Sequence, residues 1–202
     1  MFITFEGSEG SGKSTALRVV AAHLENQGVE VMTTREPGGG SMGPRVREIL
    51  LHGGDLDLRA EIFLFLADRA QHGAEVIRPA LAAGKVVLCD RYADSTVAYQ
   101  GHARGFDVER LREWNAIATG GLVPDLTLLF DLEPEIGLAR IANKDRLDAE
   151  PLEFHRRVRQ GFLAEVARDP GRWVTLDAAQ PPAEVALAAI RAVDAVGSAL
   201  GG

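Results

Sequence analysis

The eight residues Gly7-Ser8-Glu9-Gly10-Ser11-Gly12-Lys13-Ser14 constrain this chain more than any other stretch. Glycine at positions 7, 10 and 12 leaves the backbone free to curl, so that its N–H groups can converge on one point. A β-rich apolar run, Phe2–Glu6, precedes the stretch, and a helical pattern over 13–27 follows it. A strand, a turn ending in Gly-Lys-Ser and a helix N-terminus together make an anion cradle. The helix end adds partial positive charge, the lysine reaches phosphate oxygens, and the serine hydroxyl is placed for a divalent cation. The pattern predicts a nucleoside triphosphate bound by Gly7, Ser8, Glu9, Gly10, Ser11, Gly12, Lys13, Ser14 and Thr15. Lys13 is expected on a solvent-facing loop.

The rest of the chain supplies the layers. Strand patterns at Phe2–Glu6, Val29–Thr34, Val86–Asp90, Leu126–Asp131 and Trp173–Leu176 alternate with helical patterns over 13–27, 44–52, 58–83, 107–119, 134–142, 151–169 and 182–198. Val86-Val87-Leu88 and Leu126 to Phe130 are apolar almost throughout instead of alternating, as strands covered on both faces are. The expected fold is therefore a three-layer α/β arrangement, a parallel sheet flanked by helices. At 202 residues the chain suits one domain, 1–202, with a single core. The glycine-rich tail 197–202 is expected to fray, and 143–150 reads as a polar, irregular segment between helices.

Composition narrows the function. A net charge of −7 argues against broad binding to nucleic acid polymers or anionic membranes. The single cysteine, Cys89, has no partner for an intramolecular disulfide and reads as a core residue. The apolar runs fall short of the ~20 residues of a membrane span, and the N-terminus does not read as a signal peptide, so the expected location is cytoplasmic. Asp90, closing a strand and followed by Arg91, is the acid that a phosphate-loop site needs beside its cation, with Ser14 as the second metal ligand. The five histidines, at 23, 52, 72, 102 and 155, lack metal-ligand spacing and read as surface or satisfied core residues. Gly38–Gly43 matches G-x-G-x-x-G, but Arg35-Glu36-Pro37 separates it from the strand and Pro44 follows, which removes the tight strand–turn–helix context.

Five further segments carry a resemblance: Arg35-Glu36-Pro37-Gly38-Gly39; Phe65-Leu66-Ala67-Asp68-Arg69; Asp90-Arg91-Tyr92; Ser95-Thr96-Val97-Ala98-Tyr99-Gln100-Gly101; and Asp145-Arg146-Leu147-Asp148. With Phe5 to Thr15 they resemble bacterial thymidylate kinases, over Phe2 to about Ile190. The resemblance implies a P-loop kinase fold with strand order 2-3-1-4-5, a homodimer, and ATP- and Mg²⁺-dependent phosphorylation of dTMP to dTDP. It places Arg35, Arg47 and Arg91 near the monophosphate, beside Pro37. Phe65 would lie against thymine and Arg69 at its O4. Ser95, Thr96, Tyr99 and Gln100 would wall the base and sugar, with Glu9 and Tyr99 near the deoxyribose. The phosphate loop holds no arginine, so the resemblance assigns the charge donor to the short lid 143–150, whose basic residues are Lys144 and Arg146, with Arg146 favoured, and makes Arg140 an ATP contact stacked on adenine. Phe63 is left to the core.

The chemistry agrees with that assignment. The acceptor is already a phosphate, so no strong general base is required, and transfer depends on positioning and on cations at both ends of the transferring group. Two other readings compete. One is a P-loop kinase for a different monophosphate or nucleoside. The other is a nucleotide-switched GTPase or partitioning ATPase, whose sequence motifs were not found.

Overall fold

The computed structural model describes residues 1–200, with side chains through Gly197. Five strands, β1 (Phe2–Glu6), β2 (Val31–Arg35), β3 (Val86–Asp90), β4 (Leu126–Asp131) and β5 (Trp173–Asp177), form one parallel sheet in the order β2-β3-β1-β4-β5. The helices are α1 (Lys13–Asn26), α2 (Gly43–His52), α3 (Leu58–His72), α4 (Arg78–Ala82), α5 (Ala93–Thr96), α6 (Val108–Thr119), α7 (Pro134–Ala139), α8 (Leu152–Arg168) and α9 (Pro182–Leu200). α9 thus continues through most of the tail expected to fray, and residues 201–202 lie outside the described residues. No helix among the described residues is long and apolar enough to cross a membrane.

Alternation along the central strands builds the layers. Ile3 and Phe5 face α1 and α9, whose Leu17, Val20, Leu24, Val185, Ala189 and Val193 close one side of the sheet. Phe2, Val87 and Cys89 face the other side, against Ile77, Ala80 and Tyr92. Farther along that face, Leu129 and Trp173 pack on Tyr99, Phe154, Val158 and Phe162. Thr4 and Thr127, buried between strands, satisfy one another through a 2.9 Å hydroxyl contact.

The strand order leaves a crevice outside the carboxyl ends, where β1 and β3 separate crossovers running to opposite sides. Register brings the ends of three strands together there: Phe5 and Arg35 both pair with Asp90. Two π-helical segments interrupt the helices, and the second of them shapes the crevice wall. Gly73–Ile77 joins α3 to α4, just ahead of Pro79, which has no N–H to return to the preceding turn. Val97–Ala103 extends α5 and turns Tyr99 and Gln100 inward. α8 packs closely on this second segment at Gly161, where a Cβ would come within 2.8 Å of His102. The 93–103 helical stretch lies outside the helical patterns read from the sequence. Phe63 is a correction: it is 55% exposed on α3, its ring 5.3 Å from Trp114.

Candidate active site

The phosphate loop packs backbone against backbone. A Cβ at Gly10 would lie 2.1 Å from the Gly137 carbonyl oxygen, and one at Gly137 would lie 2.2 Å from that of Glu9, so neither position tolerates a side chain without a shift. Lys13 is buried, contrary to the expected solvent-facing position: its Nζ donates to Gly7 O at 3.0 Å, Ser8 O at 2.6 Å and Ser11 Oγ at 3.1 Å. Burial pulls its pKa down to about 8, helped by Arg91 and opposed by Asp90, Glu9 and Glu6. Ser14 Oγ donates to Asp90 Oδ2 at 2.5 Å, so the two expected metal ligands adjoin.

Arg91 occupies the turn after β3 with φ of 70°, a left-handed conformation unusual for a residue with a side chain. Glu6, at the end of β1, supplies the compensating bonds: it accepts from Tyr92 N at 2.7 Å and Ser95 Oγ at 2.6 Å. Burial raises the Glu6 carboxyl to about 7, Asp94 adding to the effect while Arg91 opposes it. The Arg91 guanidinium donates to Glu9 at 3.2 Å and Ser95 at 3.2 Å and lies over the Tyr99 ring at 5.1 Å. Burial alone would disfavour its charge, but Tyr99, Glu9, Glu6 and Asp90 outweigh that and hold its pKa above the arginine range.

Glu9 gathers the donors at the mouth. Tyr99 Oη donates to its Oε1, and His155 Nδ1 lies 3.2 Å from its Oε2. Although burial pushes its pKa up, His155, Arg91, Lys13 and Tyr99 bring it down to about 2. A carboxyl whose folded value is depressed contributes stability above its unfolded value that is lost as pH falls through the folded one. The wild type should therefore lose more stability than Glu9→Gln between about pH 4.5 and 2. Urea midpoints across that range check this; parallel curves would rule out the pairing as a source of acid sensitivity.

Behind the mouth lies a cavity of about 320 Å³. Arg35, Pro37, Arg47, Phe65, Arg69, Arg91, Ser95, Thr96, Tyr99 and Gln100 all line it, together with Glu9, Lys13, Ser14 and Asp90. Arg47 Nη1 donates to Pro37 O at 2.8 Å, and burial plus the neighbouring Arg35 lower its pKa. Arg69 is 1% exposed and far more engaged than a base-reading role requires. Its Nε donates to Glu36 Oε2 at 2.8 Å, Nη1 to Thr96 Oγ1 at 2.8 Å and Asn115 Oδ1 at 2.7 Å, and Nη2 to Tyr92 O at 3.0 Å. Four of its five N–H groups are thus used within the described residues, leaving one on Nη2. Glu36 also meets His72 Nδ1 at 2.9 Å.

A comparison with known proteins puts this geometry in a family. A family model described as thymidylate kinase matches residues 5–190. The chain belongs to the thymidylate kinase family. It is 55% identical to a thymidylate kinase from a Synechococcus species, over 92% of this chain and 90% of that one, and 52% identical to one from Desulfovibrio desulfuricans, over 96% and 95%. Among solved structures, thymidylate kinase from Ehrlichia chaffeensis superposes with a TM-score of 0.81 at 34% identity, covering 96% of this chain and 98% of that one. As a member of the family, the chain is a nucleoside monophosphate kinase, and its reaction is ATP-dependent phosphorylation of dTMP.

The residues that the resemblance assigns to dTMP line this one cavity, whereas those it assigns to the donor side are placed differently. Arg146 does not reach the phosphate loop: its Nε donates to Leu50 O at 2.9 Å and its Nη2 to Glu61 Oε2 at 2.6 Å, while Asp145, Leu147 and Asp148 line the cavity instead. Lys144 is exposed. Arg140 lies at the phosphate loop, its Nη1 donating to Gly10 O at 3.1 Å. Four engaged side chains escaped sequence reasoning: Glu6, Glu36, Glu61 and His155. His155 is buried, and its Nε2 finds no partner among the described residues, so it is neither a surface nor a satisfied core histidine. A buried-carboxylate signal existed for Glu61, which shares the inward face of α3 with Ile62, Leu66 and Arg69 at i+1, i+5 and i+8.

Proposed function

We propose that ATP binds with its phosphates in the loop Gly7–Ser14 and dTMP in the adjoining cavity, and that Lys13 and Arg91 carry the transfer to dTDP. The supporting observation is convergence: the loop lysine, the Ser14–Asp90 pair and three further arginines meet around one cavity floored by an aromatic ring. Burial and Arg35 disfavour the charge of Arg47, which a phosphate dianion beside it would relieve. Phe65, half-buried on α3, offers its face to a pyrimidine. Arg140, already against Gly10, is better situated for the donor phosphates than Arg146.

A magnesium ion fits the donor set. Ser14 and Asp90 offer a hydroxyl and a carboxylate, hard oxygens of the kind that hold Mg²⁺ together with substrate phosphates. When bound, the ion would offset charge on the β- and γ-phosphates. The chain's own work is to orient: Glu9 and Tyr99 face the sugar, while Arg91 bridges from Glu9 toward the transferring group.

The same reading includes a homodimer and a cytoplasmic enzyme without nucleic acid polymers or membranes as partners, a setting suited to a −7 chain acting on free nucleotides. Phe63 and Ile117 are 55% and 78% exposed around the Phe63–Trp114 contact, a face suited to a second copy. Phe63→Glu with Ile117→Glu should sediment as a monomer where the wild type sediments as a dimer; a monomeric wild type would refute this part. Coupled ADP release with ATP, Mg²⁺ and each monophosphate tests the rest. Turnover should be best with dTMP and ~10–200-fold poorer with dUMP, which lacks one methyl group. Hydrolysis without transfer to dTMP would overturn the reading.

A further inference from the structure

Glu61 lies on α3 eight residues before Arg69 and is 1% exposed. Its Oε1 accepts from Gln100 Nε2 at 2.7 Å and Arg104 Nε at 3.0 Å, and its Oε2 accepts from Arg146 Nη2 at 2.6 Å. Arg104 also reaches Glu150 at 2.9 Å, so the 143–150 segment is tied to this carboxylate directly through Arg146 and, by way of Arg104, at its end through Glu150.

A carboxylate held by two guanidinium groups only accepts hydrogen bonds. It therefore dictates which end of the Gln100 amide faces it: the NH₂ must, and the carbonyl oxygen on the other arm is the polar atom left for the cavity that Gln100 lines. Arg69, across the same cavity, has one N–H unspent. An acceptor beside a donor matches the N3–H and O4 of thymine. Cytosine inverts both positions, with an acceptor at N3 and an amino donor at N4.

We infer that Glu61 is a specificity-determining positioning residue: by holding Gln100 through its NH₂ it sets the polarity that the cavity shows to the pyrimidine edge. This rests on the dTMP reading above. Arg104 and Arg146 serve it by holding the carboxylate in place, which makes the docked 143–150 segment part of base recognition.

The test measures kcat/KM for dTMP and dCMP at saturating ATP. A wild type that fails to prefer dTMP refutes the substrate reading and is recognised before any variant is made. In Glu61→Gln the group facing Gln100 can donate or accept, so the amide is free to turn over. The preference for dTMP should shrink by ~10-fold or more, through a raised dTMP KM, with kcat and the KM for ATP changed less than about threefold. Glu61→Gln with Arg104→Met removes one charge of each sign, and serves where the single variant folds poorly. A lowered melting temperature with the preference intact in either protein would reduce Glu61 to a structural role and overturn the proposal. As an independent check, adding Glu61→Gln to Gln100→Leu should leave the ratio where Gln100→Leu alone puts it; a further fall would show that Glu61 does not act through Gln100.

Discussion

Lys13→Ala should lower phosphoryl transfer by ~10²–10³-fold or more while leaving a cooperative thermal transition within about 4 °C of the wild type. Two opposing effects make the stability change small. The substitution deprives Gly7 O, Ser8 O and Ser11 Oγ of a shared donor, but Ser11 Oγ still donates to Ser8 O at 2.8 Å. It also removes a cation whose burial disfavours its charge, as its pKa near 8 records. The kinetic loss has no such offset, because nothing else in the loop can follow charge as it builds on the transferring phosphate. Lys13→Arg should fail to restore the rate: acceptors 2.6–3.1 Å from one nitrogen suit a compact ammonium, and a planar guanidinium cannot occupy that point. Retained activity in either variant would remove Lys13 from the chemistry.

The sheet was legible because its strands and the loop after β1 carry local signatures. Val86-Val87-Leu88 is apolar at consecutive positions, and Gly7–Ser14 needs no distant residue to be recognised. What stayed hidden depends on contacts far apart in the chain. Glu6 meets Tyr92 86 residues on, Glu61 meets Arg146 85 residues on, and Glu9 meets His155 146 residues on. Glu6 looks in sequence like an ordinary surface charge, and Glu61 hints at burial only by its place on an apolar helix face. Glu9 is legible as a nucleotide contact but not as the partner of His155, since only the fold shows which groups are desolvated together. The segment 93–103 was missed for a local reason: its π turns shift the side-chain period away from 3.6, so Ser95 to Gly101 shows no helical stripe. Phe63 misled because Ile62, Phe63, Phe65 and Leu66 make α3 apolar on every side, leaving periodicity nothing to choose between. The position of Arg146 was hidden by the same dependence on distant carboxylates: in sequence it is free to face phosphate, whereas in the fold it pairs with Glu61.

Arg69 shows how base reading and stability share one side chain. Arg69→Ala should cost ~3–5 kcal/mol, because it leaves Glu36, itself 3% exposed, without its guanidinium, and strips partners from Thr96 and Asn115. Chemical denaturation measures that loss directly, and a change under ~1 kcal/mol would mean that the buried network contributes little. The alanine variant is therefore a poor probe of recognition. Arg69→Lys keeps a positive charge against Glu36 but cannot make four bonds in one plane and still present a donor at the cavity. Its kcat/KM for dTMP should fall by ~10²-fold or more, and far less for dCMP, whose N4 amino group gains nothing from an N–H placed opposite it. The dTMP-to-dCMP ratio thus separates the two roles. A folded lysine variant that keeps the wild-type ratio would leave Arg69 as the anchor of Glu36 alone, and O4 would have to be read by another donor.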